Sequence, residues 1–157
     1  MKSIKSVVDK VLQWFCIVIV AVMTVLVTYQ VVTRYFLNDP SAISEALARY
    51  LFVWLTCFGG AYVFGKRGHM NLGFIRDKFP IKIKISIEML SEFLIMLFAV
   101  FVMIYGGRVY AARQMIQLDP SMQIPMGYIY ASLPIAGCLM FFYFICNEID
   151  LYQQLKS

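Results

Sequence analysis

The sequence predicts an all-α membrane protein, with four transmembrane helices in a single domain spanning residues 1–157. Hydrophobic residues make up 61% of the chain and charged residues 15%, and the mean hydropathy is +0.74. A soluble domain carries about 25% charged residues. Because the few charges are also segregated, they leave four long apolar runs, which indicates that lipid is the main solvent.

Each apolar run is long enough to cross a bilayer, which takes roughly 20 mainly apolar residues. The predicted spans cover about residues 11–35, 45–65, 85–107 and 126–148. The first run exceeds the roughly 7–15 apolar residues of a signal peptide and is followed by no small-residue cleavage site. We therefore interpret it as a permanent span. Residues 1–10, which are basic, are expected to form a helix on the membrane surface.

An aspartate–proline pair lies in each of two predicted turns, one between spans 1 and 2 and one between spans 3 and 4. Asp39 and Asp119 each precede a proline, a pattern typical of a helix cap followed by proline in the first helical turn. Pro134 lies inside the fourth predicted span, where neighbouring helices can accommodate a kink. Apart from Pro134, no predicted span contains an interruption.

The distribution of lysine and arginine predicts the orientation, because cytoplasmic loops of membrane proteins are enriched in these residues. One side carries ten of them: Lys2, Lys5, Lys10, Lys66, Arg67, Arg76, Lys78, Lys82, Lys84 and Lys156. The other side carries four: Arg34, Arg49, Arg108 and Arg113. Both termini are therefore predicted to be cytoplasmic. The net charge of +5 is explained by this topology and by anionic headgroups, without nucleic-acid binding.

The sequence contains no pattern of residues that indicates catalysis. The four cysteines lie inside apolar runs, where free cysteine behaves as a small hydrophobe. The single histidine, His69, excludes a bis-histidine haem and a multi-histidine metal cluster, and is interpreted as a loop residue beside basic side chains. No GxSxG, HExxH or P-loop pattern is present. We predict no catalytic, cofactor-binding or metal-binding residues, and no cofactor.

Two pairs of charged residues lie near the starts of predicted spans. Glu45 and Arg49 stand one helical turn apart where the second span begins, in the favourable order for pairing. Their pairing either lowers the cost of membrane entry or locks this helix to another helix or subunit. Glu88 and Glu92 share one face of the third helix, with Lys84 one turn earlier. That face is either an interfacial salt-bridged surface or a contact with a partner subunit at the cytoplasmic rim.

Other residues suggest interaction surfaces. Small residues at positions 59, 60, 61 and 65 allow a neighbouring helix to approach the second span closely. Arg34, Arg108 and Arg113 lie on the predicted periplasmic side, where they can steer a docking protein or contact lipid headgroups. The phenylalanine- and methionine-rich faces of the last two spans can meet either lipid or another protein.

The segment from Val32 to Ile75, VTRYFLNDPSAISEALARYLFVWLTCFGGAYVFGKRGHMNLGFI, resembles the small membrane subunit (DctQ type) of TRAP transporters. The matching landmarks are Arg34-Tyr35, Glu45, Arg49, Trp54, Gly60-Ala61 and His69, followed later by Pro120, Pro125, Met126 and Pro134. One departure is Ser44, which stands where a second acid is common in the family.

This resemblance implies a role in a three-part importer of the bacterial inner membrane. A periplasmic substrate-binding protein captures an organic acid anion, and a large membrane subunit moves it with sodium by an elevator-like motion. The small subunit packs on the large one as a scaffold. Sialic acid is the favoured substrate, ahead of C4-dicarboxylates and keto acids. Expected subunit contacts or structural positions are Glu45, Arg49, Trp54, Gly60, Glu88 and Glu92, and expected docking positions are Arg34, Arg108 and Arg113.

An alternative of another class is a stand-alone small multidrug-type exporter that acts as a dimer. Such an exporter needs a membrane-embedded carboxylate as its coupling site. The first predicted span lacks one between Val11 and Thr33. Two neighbouring genes, for a much larger membrane protein and for a secreted binding protein, would favour the TRAP interpretation.

Overall fold

The computed structural model describes residues 2–39, 41–66 and 81–156, with side chains described for 4–39, 41–66 and 85–151. Over these residues it is helical with no strand. The elements are α1 (Lys2–Phe36), α2 (Ala42–Gly65), α3 (Ile81–Phe98), a π-helix (Ala99–Gly106), α4 (Gly107–Arg113), α5 (Gly127–Tyr130) and α6 (Ser132–Lys156). His69 and most of the predicted cytoplasmic loop lie outside the described residues.

Four helical stretches are long and apolar enough to cross a membrane, as the sequence predicts. They are span 1 (Ile4–Phe36), span 2 (Ala42–Gly65), span 3 (Ile85–Arg113) and span 4 (Gly127–Leu151). Spans 1 and 2 coincide with α1 and α2, span 3 combines α3, the π-helix and α4, and span 4 combines α5 and α6. The protein is therefore an all-α, multi-pass membrane protein.

Span 1 differs from its prediction at its N-terminal end. α1 continues back to Lys2, so the basic N-terminal residues prolong the transmembrane helix and do not form a separate surface helix. No glycine or proline precedes Pro40, so nothing in the sequence breaks the helix. At about 1.5 Å per residue, 35 residues extend roughly 50 Å, well beyond a hydrocarbon core of about 30 Å.

The turn between spans 1 and 2 also differs from expectation. The N-cap of α2 is Ser41, whose Oγ accepts a hydrogen bond from the Ser44 N–H at 3.4 Å. Asp39 instead ends α1, since its N–H donates to the Thr33 carbonyl at 3.1 Å after Asn38 takes a positive φ of 49°. This arrangement is typical of a helix C-terminus closed by a left-handed residue. The prediction that Asp39 caps the second helix is therefore wrong.

Span 3 contains an interruption that the sequence did not reveal, whereas the interruption of span 4 lies close to Pro134. Residues Ala99–Gly106 form a π-helix within span 3, contrary to the expectation that only Pro134 interrupts a span. Span 4 breaks at Ala131, and α6 begins at Ser132. Pro134 thus lies in the first turn of α6, where its missing N–H removes no intrahelical bond. The break in span 4 therefore lies three residues before Pro134, in the one place where the sequence predicts an interruption.

Span 4 is the centre of the fold. Span 1 packs mainly on span 2, span 2 packs on span 4, and span 4 packs on the π-helix and α3. In the most apolar stretch of span 4, 39% of the residues are buried. The corresponding shares are 11%, 17% and 11% for spans 1, 2 and 3. Leu12, Phe58, Phe64 and Tyr143 form the core cluster. Spans 1 and 3 therefore expose many side chains to the surroundings, whereas most residues of span 2 are half-buried or buried.

Candidate functional site

The predicted pair at the start of span 2 is present. The Arg49 Nη2 lies 3.2 Å from the Glu45 Oε1, and their side chains are 65% and 59% exposed. Exposed ion pairs of this kind contribute about 0.3–0.5 kcal/mol within a helix. The geometry therefore shows that the two side chains pair locally on span 2.

Double-mutant cycles should measure only weak coupling between Glu45 and Arg49. We expect Glu45→Ala and Arg49→Ala to couple by about 0.3–0.5 kcal/mol in the free energy of unfolding, because solvent screens the pair. The same double-mutant cycle can be applied to the free energy of binding of the large permease subunit. It then tests whether the Glu45–Arg49 pair holds the two subunits together. A coupling above about 1.5 kcal/mol in that binding, as for desolvated pairs, would show that the pair is buried in the complex.

Asp119 stabilises the loop between spans 3 and 4. Its Oδ1 accepts hydrogen bonds from the Ser121 and Met122 N–H groups at 2.8 and 2.9 Å, and the residue is buried. These bonds close a turn inside the loop, and the next helix begins only at Gly127. The prediction that Asp119 caps a transmembrane helix is therefore wrong, although its carboxylate does cap backbone N–H groups.

Asp119 also meets span 2. The Tyr50 hydroxyl faces this carboxylate and, with the Met122 and Ser121 N–H groups, holds the pKa of Asp119 below its usual value of 3.8. A carboxyl group with a lowered pKa stabilises the folded state above its ordinary pKa. The stabilisation that Asp119 provides is lost as the pH falls through the lowered pKa of its carboxyl group. Sequence analysis missed this contact because Tyr50 and Asp119 are 69 positions apart.

A second polar cluster joins three spans at the opposite end of the fold. The Tyr143 hydroxyl donates to the Asp9 Oδ1 at 2.7 Å, and the Lys66 Nζ lies 3.3 Å from the Asp9 Oδ2. The Lys5 Nζ donates to the Asn147 Oδ1 at 2.7 Å. Tyr143 and Asn147 are fully buried. The signal that could have found this cluster is Asp9, the one acid among the N-terminal lysines.

Glu88 and Glu92 do not share an exposed face. Glu92 is fully buried and Glu88 is half-buried. The expectation of an interfacial surface is therefore wrong for Glu92, because its position on α3 lies inside the helix packing. Lys84, the expected partner of Glu88, lies outside the described side chains.

Trp54 and Gly60 occupy different environments on span 2. The Trp54 ring stacks on Phe58 at a centroid distance of 5.4 Å, and the Phe15 ring of span 1 meets Phe58 edge-on at 5.1 Å. The Trp54 ring also lies 6.4 Å from the Phe15 ring, so Trp54 and Phe58 both pack span 2 against span 1. A Cβ added at Gly60 would have none of the described atoms within 4 Å, so this position is open.

The three arginines that are predicted to be periplasmic, Arg34, Arg108 and Arg113, are all exposed. Arg108 and Arg113 lie on α4, the last helical segment of span 3. Arg34, in the last turn of α1, lines a cavity of about 310 Å³ where the end of span 1 meets the start of span 2. Within the described residues, no cluster of three or more histidine, cysteine, aspartate or glutamate side chains could hold a metal ion.

Residues 23–154, most of the chain, match the family described as tripartite ATP-independent periplasmic transporters, DctQ component. The chain belongs to this family. It is 30% identical over 142 residues to the sialic acid TRAP transporter small permease protein SiaQ of Vibrio cholerae, covering 90% of this chain and 82% of SiaQ. It is 29% identical over 140 residues to a Haemophilus influenzae protein named as a TRAP transporter small permease, covering 89% and 86%.

A further relative is much longer than this chain. The sialic acid TRAP transporter permease protein SiaT of Haemophilus influenzae is 26% identical over 138 residues, which cover 88% of this chain and 22% of SiaT. As a TRAP small permease, the chain is a transport component and not an enzyme. Small subunits of these transporters work with a large permease subunit.

Proposed function

We propose that this chain is the scaffold subunit of a sodium-coupled TRAP transporter that imports an organic acid anion. In this proposal it packs against the large, elevator-type membrane subunit and forms part of its immobile frame. The match to SiaT carries the proposal: a segment similar to this chain occupies 22% of that permease and is covalently joined to the rest of it. Two units that are fused in one protein are candidates for stable association when they occur as separate chains.

The surface of the fold supports this proposal. Spans 1 and 3 expose many large apolar side chains, as expected of helices that meet lipid or a larger membrane protein. The open position at Gly60 lets the backbone of another helix come close to span 2. We retain Glu45, Arg49, Trp54, Gly60 and Glu88 as candidate subunit contacts or supports, and assign Glu92 to the interior of the fold.

The finer parts of the proposal concern substrate, partners and location. We favour sialic acid, because SiaQ and SiaT are both named for it, with C4-dicarboxylates and keto acids next. We place the chain in the bacterial inner membrane. A periplasmic substrate-binding protein is the proposed third component, and Arg108 and Arg113 are its candidate docking residues, since both are exposed on the outer segment of span 3.

Co-purification tests the scaffold assignment. We expect the tagged chain, co-expressed with the large permease subunit encoded beside it, to retain that subunit through affinity and size-exclusion steps in mild detergent. An unrelated four-span protein with the same tag is the control. Recovery of the tagged chain alone, with both proteins present in the membrane, would contradict the proposal.

Cysteine labelling tests the orientation. We expect Asp39→Cys, in a cysteine-free background, to react with a membrane-impermeant maleimide on whole cells, because its turn is proposed to be periplasmic. Lys78→Cys should react only after the cells are opened, because ten of the fourteen lysines and arginines are assigned to the cytoplasmic side. The reverse pattern would invert the proposed topology.

A further inference from the structure

The cavity between the outer ends of spans 1 and 2 has the features of a ligand site. Its volume of about 310 Å³ lies at the lower end of the range, roughly 300–1,000 Å³, in which protein pockets hold small-molecule groups. It is lined by Gln30, Val31, Arg34, Tyr35, Ser41 and Glu45. Because α1 ends at Phe36 and α2 begins at Ala42, it lies at the level where bilayer headgroups meet the protein.

Hydrogen-bond donors on one side of this cavity lack acceptors. The Gln30 Nε2 is buried and has no hydrogen-bond partner among the described residues, a costly state for an amide donor. The ion pairs found between described residues leave Arg34 without a carboxylate. Ser41 caps α2, so the positive end of that helix dipole also lies at the cavity. These three features favour a phosphate group.

The opposite charge is present in the same cavity. Glu45 is a lining residue, and its contact with Arg49 uses only Oε1. A carboxylate at this place repels a ligand that is purely anionic, whereas it attracts an ammonium group. A ligand that carries both a phosphate and an ammonium therefore matches the cavity better than either charge alone.

The surface below the cavity is apolar. Val31, Val27 and Val20 follow one another along one side of span 1 at intervals of four and seven residues, and all three are exposed. This stripe runs from the cavity into the depth of the membrane, in the direction that an acyl chain takes from its headgroup. It would give no advantage to a soluble phosphate compound.

We propose that this cavity binds the headgroup of phosphatidylethanolamine, with the lipid phosphate at Arg34 and Gln30 and the ammonium at Glu45. The acyl chains lie along the valine stripe of span 1. The site is formed by residues of this chain alone and does not involve the transported substrate.

Native mass spectrometry of the purified full-length chain, titrated with single lipids in detergent, tests this site. We expect phosphatidylethanolamine to bind more tightly than phosphatidylglycerol. Arg34→Gln should weaken phosphatidylethanolamine binding about tenfold, because a hydrogen bond to a charged group is lost. Arg113→Gln is the matched control, an exposed arginine at the same end of the fold but outside the cavity, and should leave binding unchanged.

The Glu45→Gln variant tests why the cavity should prefer a zwitterionic lipid to an anionic one. Removing this negative charge should abolish the preference for phosphatidylethanolamine over phosphatidylglycerol, while circular dichroism and size exclusion verify that each variant is folded. Equal loss of binding in Arg34→Gln and Arg113→Gln would overturn the proposal, since it would indicate general attraction to charge. Displacement of the lipid by millimolar inorganic phosphate would overturn it as well, in favour of a soluble ligand.

Discussion

Liposomes that contain only this chain should show no sodium-dependent uptake of sialic acid above that of protein-free liposomes. Uptake should appear when the large permease subunit and the periplasmic binding protein are reconstituted with it. This is the largest effect we expect, because the proposed scaffold carries no transport site and the rate should fall to background without its partners.

The physical reason lies in the polar groups available within the spans. Transport of an anion requires a polar site near the bilayer midplane, commonly built from broken helices whose ends meet substrate and ions. Span 1 carries no charged residue between Val11 and Thr33, and the Glu45–Arg49 pair lies at the start of span 2. Glu92 is enclosed by the protein, and the cavity lined by Arg34 and Glu45 lies at the ends of spans 1 and 2, away from the middle of either span.

Radiolabelled uptake under an imposed sodium gradient measures this prediction. The fully reconstituted three-component system is the positive control, and the large subunit alone tells whether the small subunit is required. Saturable uptake by this chain alone would contradict the scaffold proposal and would support the small exporter alternative. Glu92→Gln would then be the first variant to examine, because it removes the buried carboxylate of span 3.

The four spans could be predicted from the sequence because lipid imposes a simple condition. A segment must be apolar over about 20 residues and must satisfy its backbone polar groups internally, and each predicted run meets that condition. The Glu45–Arg49 pair could also be predicted, since residues four apart on a helix are neighbours by geometry. Both inferences depend only on local sequence.

The π-helix of span 3 and the long-range contacts could not be predicted in that way. The π-helix Ala99–Gly106 contains only residues that an ordinary α-helix also accepts, so composition gives no signal for it. The contacts of Asp9 with Tyr143 and of Asp119 with Tyr50 depend on which faces the spans turn toward one another. Glu92 was misplaced for the same reason, because a position near a helix end does not reveal which way the side chain points.

Gly65→Ala should destabilise the isolated chain by roughly 1–3 kcal/mol, the usual cost of overpacking a tight site. A Cβ at this position would lie 2.6 Å from Cδ1 and Cε1 of the Tyr143 ring. Tyr143 is fully buried, and its hydroxyl is held by Asp9 at 2.7 Å. The ring can therefore give way only if that hydrogen bond and the packing of spans 1, 2 and 4 are disturbed.

The same substitution five residues earlier is the matched control. Gly60→Ala places its methyl group where none of the described atoms lies within 4 Å, and alanine favours a helix over glycine by about 1 kcal/mol. Gly60→Ala should therefore leave the free energy of unfolding unchanged or raise it, as measured by denaturation in detergent micelles followed by circular dichroism. Equal destabilisation at both positions would mean that the contact with Tyr143 does not decide the effect.

A larger side chain at Gly60 separates folding from assembly. Gly60→Leu should leave the isolated chain as stable as the parent, because its side chain extends into open space. If the large subunit packs closely against this part of span 2, the same variant should lose co-purification, since small residues at such contacts let helix backbones approach. Gly65→Ala should instead lower both stability and recovery of the complex. A Gly60→Leu chain that folds and still retains the large subunit would place the contact on another face of the protein.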